Sequence, residues 1–161
     1  MSMCHNARFP LAAGFLTLVT VLTSAMANAQ STSESESRTL YQRLGGLMPI
    51  SVVVSDLIDV LVTDPEINRN PAVDAARKRV PAPYLKFQVT AQVCQVTGGP
   101  CKYTGRSMKE AHAHLNITEG EWQRMVTLLK QVLAKHKVPA QESRELLDIV
   151  NSTKPDIVTR P

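Results

Sequence analysis

The stretch GRSMKEAHAHLNIT at 105–118 sets two imidazoles, His112 and His114, one residue apart. Imidazole is the commonest metal ligand and the side chain that exchanges a proton near neutral pH, so this spacing decides what the pair can do. Two ligands on one rigid helix must be three or four residues apart to share a face. A separation of two turns them roughly 200° away from each other. On a helix that continues past it, His112 shares a narrow arc with Met108 and Leu115 and is expected to face the interior, while His114 is expected to be solvated. By itself an inward histidine reads either as a packed core residue or as a ligand. A metal cage built only of protein groups finds no support, because neither an H-x-x-E-H nor a C-x-x-C spacing occurs. Cys94 and Cys101 are the other reactive pair, seven apart across TGGP. They read as a disulfide, or as a buried free thiol at Cys94 on the arc of Phe87 and Ala91 if helix geometry keeps the two Cβ atoms apart.

The elements that must position these groups are helical. From Thr39 onward apolar residues recur at helical spacing, without sustained alternation or a hairpin dipeptide between β-branched runs. A short helix around TLYQRL stops at Gly45 and Gly46. A second, starting near Met48 or Pro49, carries Val53, Leu57, Val60 and Leu61 to a stop at TDP. EINRNPAVDAARKRVPAP is polar and proline-punctuated, and short helical turns are expected there. YLKFQVTAQVCQV places Leu85, Val89, Val93 and Val96 on one stripe and closes on TGGP. Ser107 with Glu110, and Thr118 with Glu121, have capping-box spacing and open two further helices. The second bears Trp122, Met125, Val126, Leu129, Val132 and Leu133 on one face. Trp122 reads as core packing, and His136 as a structural residue at a helix C-terminus, where the dipole favours a proton. A last helix from Pro139 is expected to bury Leu146, Leu147 and Val150. The fold class is all-α, one compact domain.

Residues 1–29 read differently. Arg8 precedes the apolar run FPLAAGFLTLVTVLTSAMA, and AMANAQ follows with Ala27 and Ala29 in a small-x-small arrangement. That is the pattern of a cleavable signal peptide, with cleavage after Ala29, export to the periplasm and no stable membrane association afterwards. QSTSESES, from Gln30, holds no apolar residue and is expected to form a disordered leader up to residue 38. The remaining chain of about 130 residues suits one domain and one core. Arg8 is the only one of 18 basic residues lost with the leader, and the others are scattered among 14 acidic ones without a dense cluster. That distribution does not point to nucleic acid, and the sequence leaves the oligomeric state open.

The run QVTGGPCKYTGRSMKEAHAHLNIT, with LYQRLGG before it and VPAQESRELLDIVNSTKPDIV after it, resembles the group 1 truncated haemoglobins over residues 39–158. The resemblance rests on the glycine pairs Gly45-Gly46 and Gly98-Gly99, on YTG at 103–105 and on MKEAH. It implies a trimmed globin with two helices packed over two around a haem, and tail residues 159–161 beyond it. It further implies His112 as the proximal iron ligand, with Met108 and Tyr103 lining the haem. Leu85, Val89 and Val93 would form the distal wall, and the same residues could also pack against the Trp122 helix.

The match departs on the distal side. The aromatic pair of the family's second helix, whose tyrosine donates to bound oxygen, is here Leu57 and Ile58, and INRNPAV stands where a haem-wedging phenylalanine is usual. Neither Leu85 nor Val89 supplies a donor, and such a bond is worth about 1–3 kcal/mol. Tyr84, Lys86 and Gln88 flank the stripe as candidate donors or sixth ligands. The expected function is therefore haem-dependent binding of oxygen or another diatomic gas, in transport, sequestration or haem redox. Nitric oxide dioxygenase or peroxidase-like activity is expected to be weak at most. The rival reading is an exported helical binding module that has kept the fold and lost the haem.

Overall fold

In a computed structural model of the chain, residues 38–160 are described. The expected signal peptide, and the leader up to residue 37, lie outside them. Helix α1 (Leu40–Arg43) opens on Thr39, whose hydroxyl accepts from the Gln42 N–H while the Gln42 side chain accepts from the Thr39 N–H. After the turn at Gly45 and Gly46, α2 runs Leu47–Thr63. Its buried residues are Ile50, Val54 and Ile58, whereas Val53 and Leu57, the apolar residues named on this helix from the sequence, are half-buried. The helix is apolar on more than one side, so its periodicity does not single out one inward stripe. It packs first on α4 and next on α6.

The proline-punctuated segment forms a 3-10 turn, Ile67–Arg69, and α3, Pro71–Arg79. Asn70 caps α3 and Pro71 takes its first position, where no N–H is needed. Helix α4 (Ala82–Val96) lays Leu85, Val89 and Val93 against Ile50, Val54 and Ile58. The stripe thus packs on α2, with Val89 and Val93 sharing a cavity lining with Met125 and Leu129 of the Trp122 helix, and it ends at Val93, since Val96 is exposed.

Both capping boxes form as expected. Ser107 and Glu110 open α5 (Met108–His112), and Thr118 and Glu121 open α6 (Glu119–Lys135). Trp122 and Val126 of α6 join Ile157 in a second core cluster, with Met108, Met125, Leu147 and Val150 around it. Leu128, also buried, was not among the residues expected on this face. Helix α7 (Ala140–Ser152) starts after Pro139 and leaves Leu146, Leu147 and Val150 half-buried. Its buried residue is Glu142, paired with Arg43 of α1 at 3.2 Å. Helix α8 (Lys154–Ile157) then leads into strand β2, Val158–Arg160, which pairs parallel with β1, Ile117–Thr118. This small ladder is the one departure from an all-helical expectation, and residues 159 and 160, expected as tail, belong to it. Two strands of two and three residues are too short to leave an alternation signal. Among the described residues no helix is long and apolar enough to cross a membrane.

Candidate functional site

His112 is the last residue of α5 and is half-buried. Its Nδ1 lies 2.8 Å from the Met108 carbonyl oxygen, one helical turn back. A carbonyl only accepts, so Nδ1 carries the proton, and in the neutral ring the lone pair is then on Nε2. Metal-ligating histidines are commonly fixed in this way, with one nitrogen donating to a carbonyl and the other left free. His114 is exposed, as expected, but not by helical rotation: the helix ends at His112 and the chain turns, with the Leu115 N–H donating to the His112 carbonyl at 2.9 Å. Met108 points into the Trp122 cluster, which anchors α5 from below.

Contacts on both sides hold the chain that flanks this short helix. On the far side, Asn70 Nδ2 donates to the Leu115 carbonyl at 2.8 Å, while its Oδ1 accepts from the N–H groups of Ala72 and Val73. One amide therefore caps α3 and ties down the residue three past His112. On the near side, the Tyr103 N–H donates to Gln95 Oε1 at 2.7 Å, and the Tyr103 hydroxyl donates to the Arg106 carbonyl at 2.8 Å. Gly105 sits under that ring, where a Cβ would collide with the Tyr103 hydroxyl and ring carbons. This close approach accounts for the glycine of YTG.

Cys94 and Cys101 form a disulfide, with Cα atoms 5.7 Å apart, so the free-thiol alternative falls. Cys94 is fully buried. Gly99 packs so closely on it that a Cβ would stand 2.7 Å from its sulfur and 2.5 Å from the Tyr41 ring. Phe87, which shares the Cys94 arc by sequence, is exposed.

The wall that the resemblance would place on the distal side is apolar at Ile58, Leu85 and Val89. Ile58 is buried against Leu85 and Val89 and offers no donor. Of the flanking candidates, Lys86 is bound to Asp59 at 2.7 Å. Gln88 Nε2 meets the Tyr84 hydroxyl at 2.7 Å, and Gln88 Oε1 is buried with no donor near it. Turning the amide over lets the Tyr84 hydroxyl donate to Oε1 and leaves a buried NH2 unspent. Leu85, Gln88, Val89 and Gln92 share an arc of about 100° on α4. Gln92 was not singled out from the sequence, although its spacing of four from Gln88 marks the same face. Beside Val89 and Val93 lies a cavity of about 590 Å³, lined also by Val53, Leu57, Met125 and Leu129 among others. Val89 and Val93 are the residues of the expected wall on its lining, while Leu85, Tyr103, Met108 and His112 lie elsewhere.

Ion pairs brace this frame. Asp64, almost wholly buried, is held below the usual carboxylate range by Arg124 and by the backbone N–H groups of Ile67 and Glu66. Lys135 first, and then His136, lower Asp56 and tie α6 to α2. Arg43, in contact with both Glu142 and Glu145, lowers Glu145. His136 is thus committed to a structural contact, as expected.

The profile of the bacterial-like globins matches residues 39–159. A group 1 truncated hemoglobin, GlbN, of a Nostoc species is 29% identical over 123 residues, which cover 76% of this chain and 98% of that one. The GlbN of Mycolicibacterium paratuberculosis is 25% identical over 126 residues, 78% of this chain and 88% of its own. In three dimensions the fold matches the truncated hemoglobin of Tetrahymena pyriformis in its Fe(III) form, with TM-score 0.66 and 21% identity over 75% of this chain and 98% of that one. It also matches the 2/2 hemoglobin of Synechococcus in the cyanomet state with covalently attached heme, with TM-score 0.67 and 22% identity over 76% and 100% of the two chains.

Proposed function

The chain belongs to the bacterial-like globin family, and from that premise we propose that it binds haem through His112 and presents the iron to oxygen or another diatomic gas. The observation that carries this reading is the His112 Nδ1 contact with the Met108 carbonyl, which leaves Nε2 as the free ring nitrogen. Among the described residues no three His, Cys, Asp or Glu side chains converge on a metal position. A lone histidine holds iron firmly only when a prosthetic group brings the other ligands, which suits a porphyrin.

When bound, the haem would supply an iron centre able to take up a diatomic gas. The chain's own part would be to orient His112 through Met108, to line the pocket with Leu85 and Val89, and to keep water away with apolar side chains. The cavity behind Val89 and Val93 is apolar, and a nonpolar gas partitions into such a space more readily than water does. Gln88, in contact with Tyr84, shares the arc of Leu85 and Val89 on α4 and would supply the polar group that Ile58 does not.

Export through residues 1–29 to the periplasm is part of the proposal, and the Cys94–Cys101 disulfide supports it, since such bonds persist in oxidising compartments. Titration of the purified protein with haemin tests the whole reading. A Soret band is expected in the wild type and in His114→Ala and is expected to vanish in His112→Ala. A colourless protein that refuses haemin would leave the haem-free binding module in its place.

A further inference from the structure

Eleven residues, 97–107, separate α4 from α5 without regular secondary structure. They carry Tyr103 and deliver the chain to His112. Helix α5 itself is five residues long and holds no fully buried side chain. An isolated helix of that length does not persist in water, so the position of His112 depends on what grips the flanking chain. On the far side the grip is Asn70 on the Leu115 carbonyl. On the near side it is the Cys94–Cys101 bond, backed by Gln95 on the Tyr103 N–H.

The disulfide is anchored in the best-packed part of this region. Cys94 is fully buried, Gly99 rests on its sulfur, the Gly99 N–H donates to the Cys94 carbonyl at 2.8 Å, and the Tyr41 N–H of α1 donates to the Thr97 carbonyl at 2.8 Å. The bond therefore transfers the rigidity of the α1 and α4 junction to Cys101, two residues before Tyr103. Burial of Cys94 also shields one sulfur from an attacking thiolate, which suits a permanent clamp better than a switch.

We infer that the Cys94–Cys101 disulfide is a positioning device for His112: it fixes the entry to α5 and so sets how firmly the chain retains haem. This rests on the proposed haem ligation by His112. Opening the bond adds two electrons and two protons and yields two thiols, and it leaves the Tyr103 N–H on Gln95 as the hydrogen bond that ties this segment back to α4.

The experiment compares oxidised wild type, Cys101→Ser, and wild type opened with an excess of a phosphine reductant, the thiol count being checked by mass. Transfer of haemin to an excess of a high-affinity apoglobin gives the rate of haem loss. That rate is expected to rise about tenfold or more in both open forms and to return when the reduced wild type is reoxidised. The iron–histidine stretching band of the ferrous form is expected to broaden. In the haem-free protein, amide exchange is expected to quicken at 101–115 and to stay unchanged in α2 and α6. Equal rates of haem loss in the open and closed forms would overturn the clamp, as would exchange that quickens uniformly over the domain, since that means loss of general stability. If Cys101→Ser fails to fold, the reduced and reoxidised wild type carries the same comparison. Failure of the oxidised wild type to take haemin at all would count against the haem reading, and the exchange data would still decide whether the bond governs residues 101–115.

Discussion

Replacing Asn70 separates two jobs that one side chain performs. Its Oδ1 accepts from the N–H groups of Ala72 and Val73 at 3.0 and 3.4 Å, capping α3, and its Nδ2 donates to the Leu115 carbonyl at 2.8 Å. Asn70→Ala removes both. Loss of an N-cap costs about 1 kcal/mol, and loss of a part-buried hydrogen bond costs roughly another 1 kcal/mol, or more where the carbonyl is left dry. The expected total of about 2 kcal/mol lowers Tm by roughly 6–14 °C for a domain of this size. Asn70→Asp keeps an oxygen for the cap and gains the favourable charge of an acid at a helix N-terminus, but it turns an acceptor toward the Leu115 carbonyl. It is expected to give back most of the cap energy and none of the tie. The two variants therefore diverge in stability and agree in their effect on α5. Thermal unfolding of the haem-free proteins should rank wild type, Asn70→Asp and Asn70→Ala in falling order, while haem loss should be faster in both variants than in wild type, to a similar degree. Haem loss from Asn70→Asp at the wild-type rate would refute the claim that Asn70 holds the far end of α5.

Gly105→Ala drives a Cβ into the Tyr103 ring and is expected to lower Tm by several degrees, and by less than half as much in a Tyr103→Ala background, a non-additivity that unfolding curves will measure. Asp64 titrates below its unfolded value because Arg124 and two backbone N–H groups favour the carboxylate. Its contribution is complete above about pH 4, the unfolded value, and is lost as pH falls through the lower folded value, because the unfolded chain then binds the extra proton. Asp64→Asn should accordingly flatten the acid limb of a Tm against pH plot below about pH 4 while lowering Tm at neutral pH. Gln88→Leu removes a buried carbonyl oxygen without a donor, a group that costs about 1–3 kcal/mol when unpaired. Haem-free stability is expected to hold or rise, while the rate of gas dissociation from the loaded protein is expected to increase. An unchanged dissociation rate would remove Gln88 from the distal side.

What the sequence disclosed and what it withheld divide along the range of the interactions. Both capping boxes are legible because their partners lie three residues apart. The contact of His112 with Met108 is legible from their spacing of four, one helical turn. Nothing local says that Asn70 also reaches Leu115, that Arg43 of α1 finds Glu142 of α7, or that Ile117 pairs with Val158, since each contact joins segments about forty or more residues apart. The buried face of α2 is not legible for a related reason. A helix apolar on several sides takes its buried stripe from its neighbours, and α4 selects Ile50, Val54 and Ile58, leaving Val53 and Leu57 to the cavity. That choice bears on function. With Ile58 packed against Leu85 and Val89, a tyrosine introduced there to supply a hydroxyl would have to displace those side chains, at the 1–3 kcal/mol typical of an overfilled core. A polar group on this side comes more cheaply from α4, where Gln88 and Gln92 already share the arc of Leu85 and Val89.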